Sequence, residues 1–411
     1  MVLSLSSYNV IQHLQEAGLC SSEDGASADA ELPESWSKNL NFVVTLGGDR
    51  TLLVKQAGEF TDGIPQDFFN EWLFHQLLQQ FPVLGNISQI SSLVLHFSPE
   101  KSILVRNYLT DYVELASFYH QHQIFPLEIA TAIGGSLGIL HRATYNRREY
   151  RDFMATAPQG EYRYYFYNPA QGVESLIPED FGQIPREAWE FYRSYQRDES
   201  LEGAIAELAY TWNPCCLTHN DLNFHNILLH SRWESLDDCL VRLIDWEAVN
   251  WGDPIYDLAG LVASYLRVWL DSLIVDPTLD LSESLDLAIV PLERLQPSIL
   301  ALVQAYIESF PVILNHRQDL LTDLIKFVGL VLIQRQKTEI KQKKIFNNRG
   351  LATLQFAQNC LTFPQNLVET IFGISASEII QPFLKFNQSL SVERESNLVP
   401  LYYEKTRLRG C

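Results

Sequence analysis

The spacing of apolar residues changes character several times along the chain, and each change predicts an element. In NVIQHLQEAG, residues 9–18, Val10, Ile11 and Leu14 recur at helical intervals before Gly18, the pattern of a short helix closed by glycine. A polar, acidic stretch runs to about residue 34. NLNFVVTLGGDRTLLVKQA then supplies two β-rich runs around Gly47-Gly48-Asp49, a hairpin signal. From Asp67 to Phe81, DFFNEWLFHQLLQQF sets apolar side chains at 68, 69, 72, 73, 77 and 78, the stripe of an amphipathic helix. LVLHFSPEKSILVRNYL makes a second hairpin with Ser98-Pro99 in its turn. These predictions describe a small mixed lobe over residues 1–107.

Beyond Tyr108 the pattern becomes helical. PLEIATAIGGSLGILHRAT reads as a helix in spite of its glycines. Two short strand-like runs, CCLT and NILLH, flank a polar loop, and CLVRLIDW supplies a third. From Ile255 to about Phe372 almost everything has helical spacing. The expected division is therefore 1–107, 108–374 and a polar tail or lid over 375–411, in an α+β fold.

Composition narrows the classes. Hydrophobic residues are 46 % of 411 and charged residues only 19 %, which marks a well-packed globular chain. A net charge of −20 argues against nucleic acid and anionic membranes as partners and suits a cationic small molecule or a basic peptide. None of the six cysteines forms a CxxC pair, so no zinc or thioredoxin-like site is indicated; Cys215-Cys216 fits a buried strand. The N-terminal residues lack a basic and an apolar signal region. The most apolar window, Leu258 to Val275, is interrupted by Arg267 and Asp271, so it reads as a core helix and the expected location is cytoplasmic.

Chemistry concentrates in CCLTHNDLNFHNIL, residues 215–228. It spaces His219-x-Asp221-x4-Asn226, with Asp245 nineteen residues on in RLIDWE and WGDPIYDLAG directly after. Alone, each such residue is a turn former or a satisfied core group; four at this spacing, followed by GDPIYDLA, are not explained that way. The pattern resembles the catalytic loop and metal-binding aspartate of the protein-kinase-like fold. It is closer to the aminoglycoside phosphotransferase and choline kinase family, with its HGDLHPGN, IDWE and GDPxYDLA motifs, over roughly residues 9–372. The resemblance implies a two-lobed protein-kinase-like fold with a small β-rich N-lobe and a large, mostly helical C-lobe. It also implies ATP and Mg²⁺, with Asp221 as base for the acceptor hydroxyl, His219 packed beneath the loop, and Asn226 and Asp245 as oxygen ligands for the metal. Asp257 would brace the loop. Asp253-Pro254 reads independently as a helix N-cap with proline at its first position.

In the small lobe the resemblance assigns Lys55 to the ATP phosphates and Glu71, on the next helix, to an ion pair with it. Ser37, Lys38 and Asn39 lie where a phosphate-covering loop belongs, although no glycine is present there. Arg106-Asn107-Tyr108 would be the hinge whose backbone meets adenine. Two departures stand out: Asn220 replaces the family's glycine, a position asparagine tolerates in a left-handed conformation, and Asn223-Phe224-His225 replaces its HPG triplet.

Gly252 comes only seven residues after Asp245, too soon for the activation segment with which protein kinases dock polypeptides. The leading expectation is transfer of a phosphoryl group from ATP to a hydroxyl of a small molecule. Glu247, with Asp221, is expected to contact a cationic acceptor. The alternatives are a kinase of Ser/Thr in a small peptide and a nucleotide-binding scaffold without activity.

Overall fold

The computed structural model describes residues 4–28, 39–48, 50–57, 66–91, 93–155, 168–171, 185–186, 188–189, 198–236, 240–274, 283 and 287–384; absences noted below concern these residues. Ser37, Lys38 and the residues beyond 384 fall outside them, as do Cys239 and Cys411.

The N-lobe is an antiparallel sheet in the order β1-β2-β3-β5-β4. Its strands are β1 (Ser27–Ala28), β2 (Asn39–Leu46), β3 (Arg50–Ala57), β4 (Val94–Ser98) and β5 (Ile103–Asn107). Gly48, at φ +77°, supplies the left-handed residue that the β2–β3 turn needs. Alternation along the strands sorts their side chains. Phe42, Val44, Leu52, Val54, Ile103 and Val105 share one core with Val10 and Leu14 of α1 (Val10–Glu16). Leu104 packs on the other face, against Phe68 of α2 (Gln66–Gln80), and Lys55 is its ladder partner on β3. Both predicted hairpins are present and α2 begins one residue earlier than its stripe suggests. The two-residue β1 and α3 (Gly85–Gln89) are too short for periodicity to reveal.

The C-lobe begins with β6 (Tyr112–Glu114), α4 (Leu115–His122), α5 (Leu127–Thr144), α6 (Arg148–Ala155) and α7 (Glu199–Thr211). Two small antiparallel sheets follow, β6-β8-β9 and β7-β10, from β7 (Cys216–Thr218), β8 (Ile227–His230), β9 (Val241–Leu243) and β10 (Asn250–Gly252). The remainder is α8 (Pro254–Asp271), α9 (Gln296–Ser309), α10 (Ile313–His316), α11 (Leu320–Lys343), α12 (Asn348–Thr362) and α13 (Val368–Phe372).

The glycines of α5 mark a close approach instead of a break: a Cβ at Gly134 would stand 2.1 Å from the carbonyl oxygen of Leu302 on α9. The GDP glycine has a similar reason, since a Cβ at Gly252 would meet the Thr218 hydroxyl at 2.2 Å. Cys215 and Cys216 are buried free thiols. α8 is almost wholly buried, and no single helix is long and apolar enough to cross a membrane. Beyond the expected boundary at 374, helix Ala376–Leu384 buries Ile379 in the main core.

Candidate active site

The polar loop after β7 is fixed from below. Asp257, in the first turn of α8, accepts from the backbone N–H groups of His219 (2.7 Å) and Asn220 (2.8 Å). Two hydrogen bonds to a buried carboxylate pin the backbone just ahead of Asp221. His141 Nε2 lies 3.2 Å from the same carboxylate. Asp253 caps α8 by accepting from Ile255 N–H, receives Asn213 N–H, and is paired with Arg317. The GDPIYDLA segment is thus the anchor of the loop as well as the start of a helix.

His219 is fully buried, and its Nε2 donates to the Ile244 carbonyl at 2.8 Å. Its ring lies 4.6 Å from that of Trp246, which stacks at 4.0 Å on Phe74 of α2. The tryptophan of IDWE therefore ties the loop to the small lobe's helix. Asn220 sits at φ +63°, the left-handed conformation its amide side chain tolerates. Its Oδ1 accepts from the Thr218 hydroxyl and its Nδ2 donates to the Ala248 carbonyl.

Asp221 is exposed to the cleft. Asn226 Nδ2 donates to its backbone oxygen at 2.7 Å and to Oδ2 at 3.0 Å, which leaves Asn226 Oδ1 as the free end of the amide. The altered triplet is accounted for by packing. Asn223 Oδ1 caps the following turn by accepting from His225 N–H, Phe224 packs edge-on to Tyr119 and Tyr265, and His225 Nδ1 meets Glu114 at 2.8 Å.

At the strand end beside the loop, charges from both lobes converge. Lys55 Nζ is 2.5 Å from Asp245 Oδ1 and 3.4 Å from Glu247 Oε1. Arg106 Nη1 is 3.2 Å from Glu71 Oε1 and 2.9 Å from Asp245 Oδ1. Carboxylate oxygens of Glu71, Asp245 and Glu247 lie within 4.8 Å of one another, and Glu71 Oε2 is buried without a hydrogen-bond partner. Burial alone would raise the Asp245 pKa; Lys55 and Arg106 outweigh it and hold the carboxyl well below its ordinary range. Burial dominates at Glu247, with Asp245 and Glu71 adding repulsion, and its pKa rises to about 7. Asp245 itself stands at φ +61°, which turns its carboxylate from the end of β9 into the cleft.

Three expectations need correction. Lys55 does not pair with Glu71; that carboxylate takes Arg106, and Lys55 reaches Asp245 and Glu247. The Arg106 side chain is in the cleft, because β5 continues to Asn107 and alternation turns residues 104 and 106 toward α2. Glu247, expected to contact a cationic acceptor, instead turns its side chain to Lys55: the turn Trp246–Ala248 packs on α2, where Asn70 Nδ2 donates to the Glu247 carbonyl. At the hinge the N–H groups of Asn107 and Tyr108 donate to Leu93 and Thr51 carbonyls, so neither is free for an adenine. Asn39 opens β2 opposite Ala57.

With this geometry, comparison with known proteins is informative. The profile of the phosphotransferase enzyme family matches residues 30–288. The chain belongs to that family. Its two lobes, an antiparallel sheet and a mostly helical partner, are the protein-kinase-like arrangement expected of it. Among solved structures it is similar to choline kinase LicA from Streptococcus pneumoniae, at 16 % identity and a TM-score of 0.46, covering 85 % of this chain and 98 % of that one. A choline/ethanolamine kinase family protein from Mesorhizobium loti matches at 13 % identity and 0.41, covering 86 % and 99 %. Macrolide 2'-phosphotransferase MphH from Brachybacterium faecium matches at 14 % and 0.41, covering 86 % and 98 %. No curated protein matches the chain.

Within this phosphotransferase, sequence reasoning missed the side chain of Arg106 and that of Arg335, which donates to the Leu222 carbonyl next to Asp221. Arg106 could have been found by parity: it shares a strand face with Leu104, the ladder partner of Lys55. Arg335 had a weaker signal, the basic run RQKTEIKQKK, which alone reads as a solvated helix face.

Proposed function

We propose that this chain is an ATP-dependent kinase that transfers the γ-phosphoryl group to a hydroxyl of a small molecule. The observation that carries the reading is the contact of Asp221 with Asn226 on one loop, beside the strand end that presents Asp245, which is held between Lys55 and Arg106. Phosphoryl transfer needs a proton acceptor in line with the γ-phosphate and cations on its oxygens.

In this reading Asp221 orients the acceptor hydroxyl and takes its proton as the oxygen attacks. Lys55 and Arg106 are the cationic groups for nucleotide phosphates; Lys55 leaves Asp245 when a phosphate competes for it. Glu71 holds Arg106, and Asp257 with His219 keeps the loop in register. The donor set fits Mg²⁺: the free Asn226 Oδ1 and the strongly ionised Asp245 are the hard oxygen ligands that ion prefers. Mg²⁺ there neutralises charge on the transferring phosphate.

Asp221 and Asn226 open on a cavity of about 1570 Å³. That volume exceeds the roughly 300–1,000 Å³ of ordinary small-ligand sites and supports a second reading, with the hydroxyl on a larger molecule such as a short peptide. The test is ADP formation over small-molecule and peptide acceptors, with intact-mass analysis for the gain of one phosphate. Phosphate gain on small molecules supports the first reading and gain on peptides the second. A chain that binds ATP but phosphorylates nothing in either set is a scaffold.

A further inference from the structure

The acceptor cavity has a charge character opposite to that of the whole protein. At a net −20, a cavity for a cationic acceptor should be lined by carboxylates. Instead five cations line it, Arg267, Arg335, Lys337, Lys341 and Lys343, against four carboxylates, one of which is Asp221. Four of the five belong to the C-terminal half of α11. Arg267 is neutralised by Asp271 and Glu339, and Lys343 also pairs with Glu339.

Arg335 differs from these. It is half-buried, and no carboxylate among the described residues pairs with it. Nη2 donates to the carbonyls of Leu222 (3.0 Å) and Gly260 (3.2 Å), and Nη1 to the Ser264 hydroxyl at 2.9 Å. Carbonyls and a hydroxyl orient the fork without cancelling its charge. Nε–H and one N–H of Nη1 remain unused, on a group anchored one residue from Asp221. Burial lowers the Arg335 pKa, and the nearby Asp221 carboxylate, which makes no ion pair with it, offsets that only in part. An anionic ligand group would remove that cost and form a charge-assisted bond.

We propose that the α11 wall, with Arg335 at its inner end, reads an anion, so that the acceptor carries a carboxylate or a phosphate besides the hydroxyl that is phosphorylated. This rests on the kinase reading and reverses the expectation of a cationic acceptor. Arg335 holds the acceptor's anionic group while Asp221 receives the hydroxyl.

The experiment divides a metabolite extract into fractions retained by an anion exchanger, retained by a cation exchanger, and unbound, and assays each for ATP-dependent ADP formation. Activity should follow the anion-exchanger fraction. Phosphatase treatment of that fraction abolishes activity if the anion is a phosphate and spares it if a carboxylate. Arg335→Met should raise KM for the active fraction at least about tenfold, with a smaller change in kcat. Arg335→Lys, which keeps the charge but loses the fork, should recover part of the lost affinity. A purely bracing arginine would show the reverse, a kcat loss that lysine does not rescue. Activity in the cation-exchanger or unbound fraction, or an unchanged KM in Arg335→Met, overturns the inference and leaves the kinase reading standing. Inactivity with every fraction contradicts the kinase reading and this inference with it.

Discussion

On one wall of the cleft Lys55, Arg106, Glu71, Asp245 and Glu247 lie against one another, drawn from β3, β5, α2 and the end of β9. On the other, Asp221 faces a large cavity and meets only the neighbouring amides of Asn223 and Asn226. In the proposed reading the first wall is crowded because its charges satisfy one another until a nucleotide arrives, and the second is open because its partner is the acceptor. A substitution on the paired wall should therefore disturb binding and stability together, whereas one on the open wall should disturb transfer alone.

The largest expected break of that contrast is Asp245→Ala. It removes the carboxylate that both cations share and the proposed ligand for Mg²⁺, so transfer should fall by at least about a thousandfold, or about 4 kcal/mol of barrier. The fold should survive, because Glu71 and Glu247 remain beside Arg106 and Lys55. Nucleotide titration with and without Mg²⁺ checks it; an unchanged metal dependence removes Asp245 from the role.

Arg106→Met should come next. It strands the Glu71 carboxylate, which is 1 % exposed and already has one unpartnered oxygen. Breaking such a buried pair costs about 3 kcal/mol or more, read as a lower urea midpoint, and nucleotide affinity should drop at least about tenfold. A stable variant with unaltered affinity for nucleotide would make Arg106 a bystander.

Glu247 sharpens the comparison through pH. Its pKa is about 7 in the folded protein against an ordinary 4.5. The folded state then binds more protons than the unfolded one between those values, so stability declines as pH rises through that window and the cost is complete above it. In nucleotide- and metal-free protein, Glu247→Gln should melt at a higher temperature than the wild type. The gap should widen by a few degrees between about pH 5 and about pH 8. A gap that is constant with pH contradicts the assignment.

The smallest effect is expected at Asn220. Glycine relieves the positive φ but forfeits two side-chain hydrogen bonds, so Asn220→Gly should change stability by less than about 1 kcal/mol. Asn220→Ala keeps the strain and loses the same bonds, costing about 1–2 kcal/mol. Chemical denaturation of the two variants separates these outcomes.

These two walls were unequally legible in the sequence. Both hairpins, α2, the long helices and the phosphotransferase family follow from periodicity and from one contiguous motif, whose residues are neighbours in sequence because one loop presents them. Lys55 could be assigned a strand but not a partner: whether Glu71 or Asp245 takes its ammonium depends on Arg106, which competes from another strand. Arg106 itself was read as hinge backbone, whereas β5 runs on to Asn107 and turns the Arg106 side chain toward Glu71 and Asp245. The acceptor wall was the least legible. Its residues come from α4, the catalytic loop, α8 and α11, and net charge points away from the local sign that α11 brings.

Asp221→Asn tests the central claim most directly. Asparagine keeps the shape but cannot accept the hydroxyl proton, and Asp221 contributes no ion pair to the charged wall. Transfer should fall at least about a hundredfold, close to 3 kcal/mol of barrier. The ATP dissociation constant should move by less than about threefold and the melting temperature hardly at all, since a group that acts on the acceptor proton is felt in the transition state. Transfer within about tenfold of the wild type, or a joint fall of ATP affinity and melting temperature, would mean that Asp221 braces the loop and is not the base.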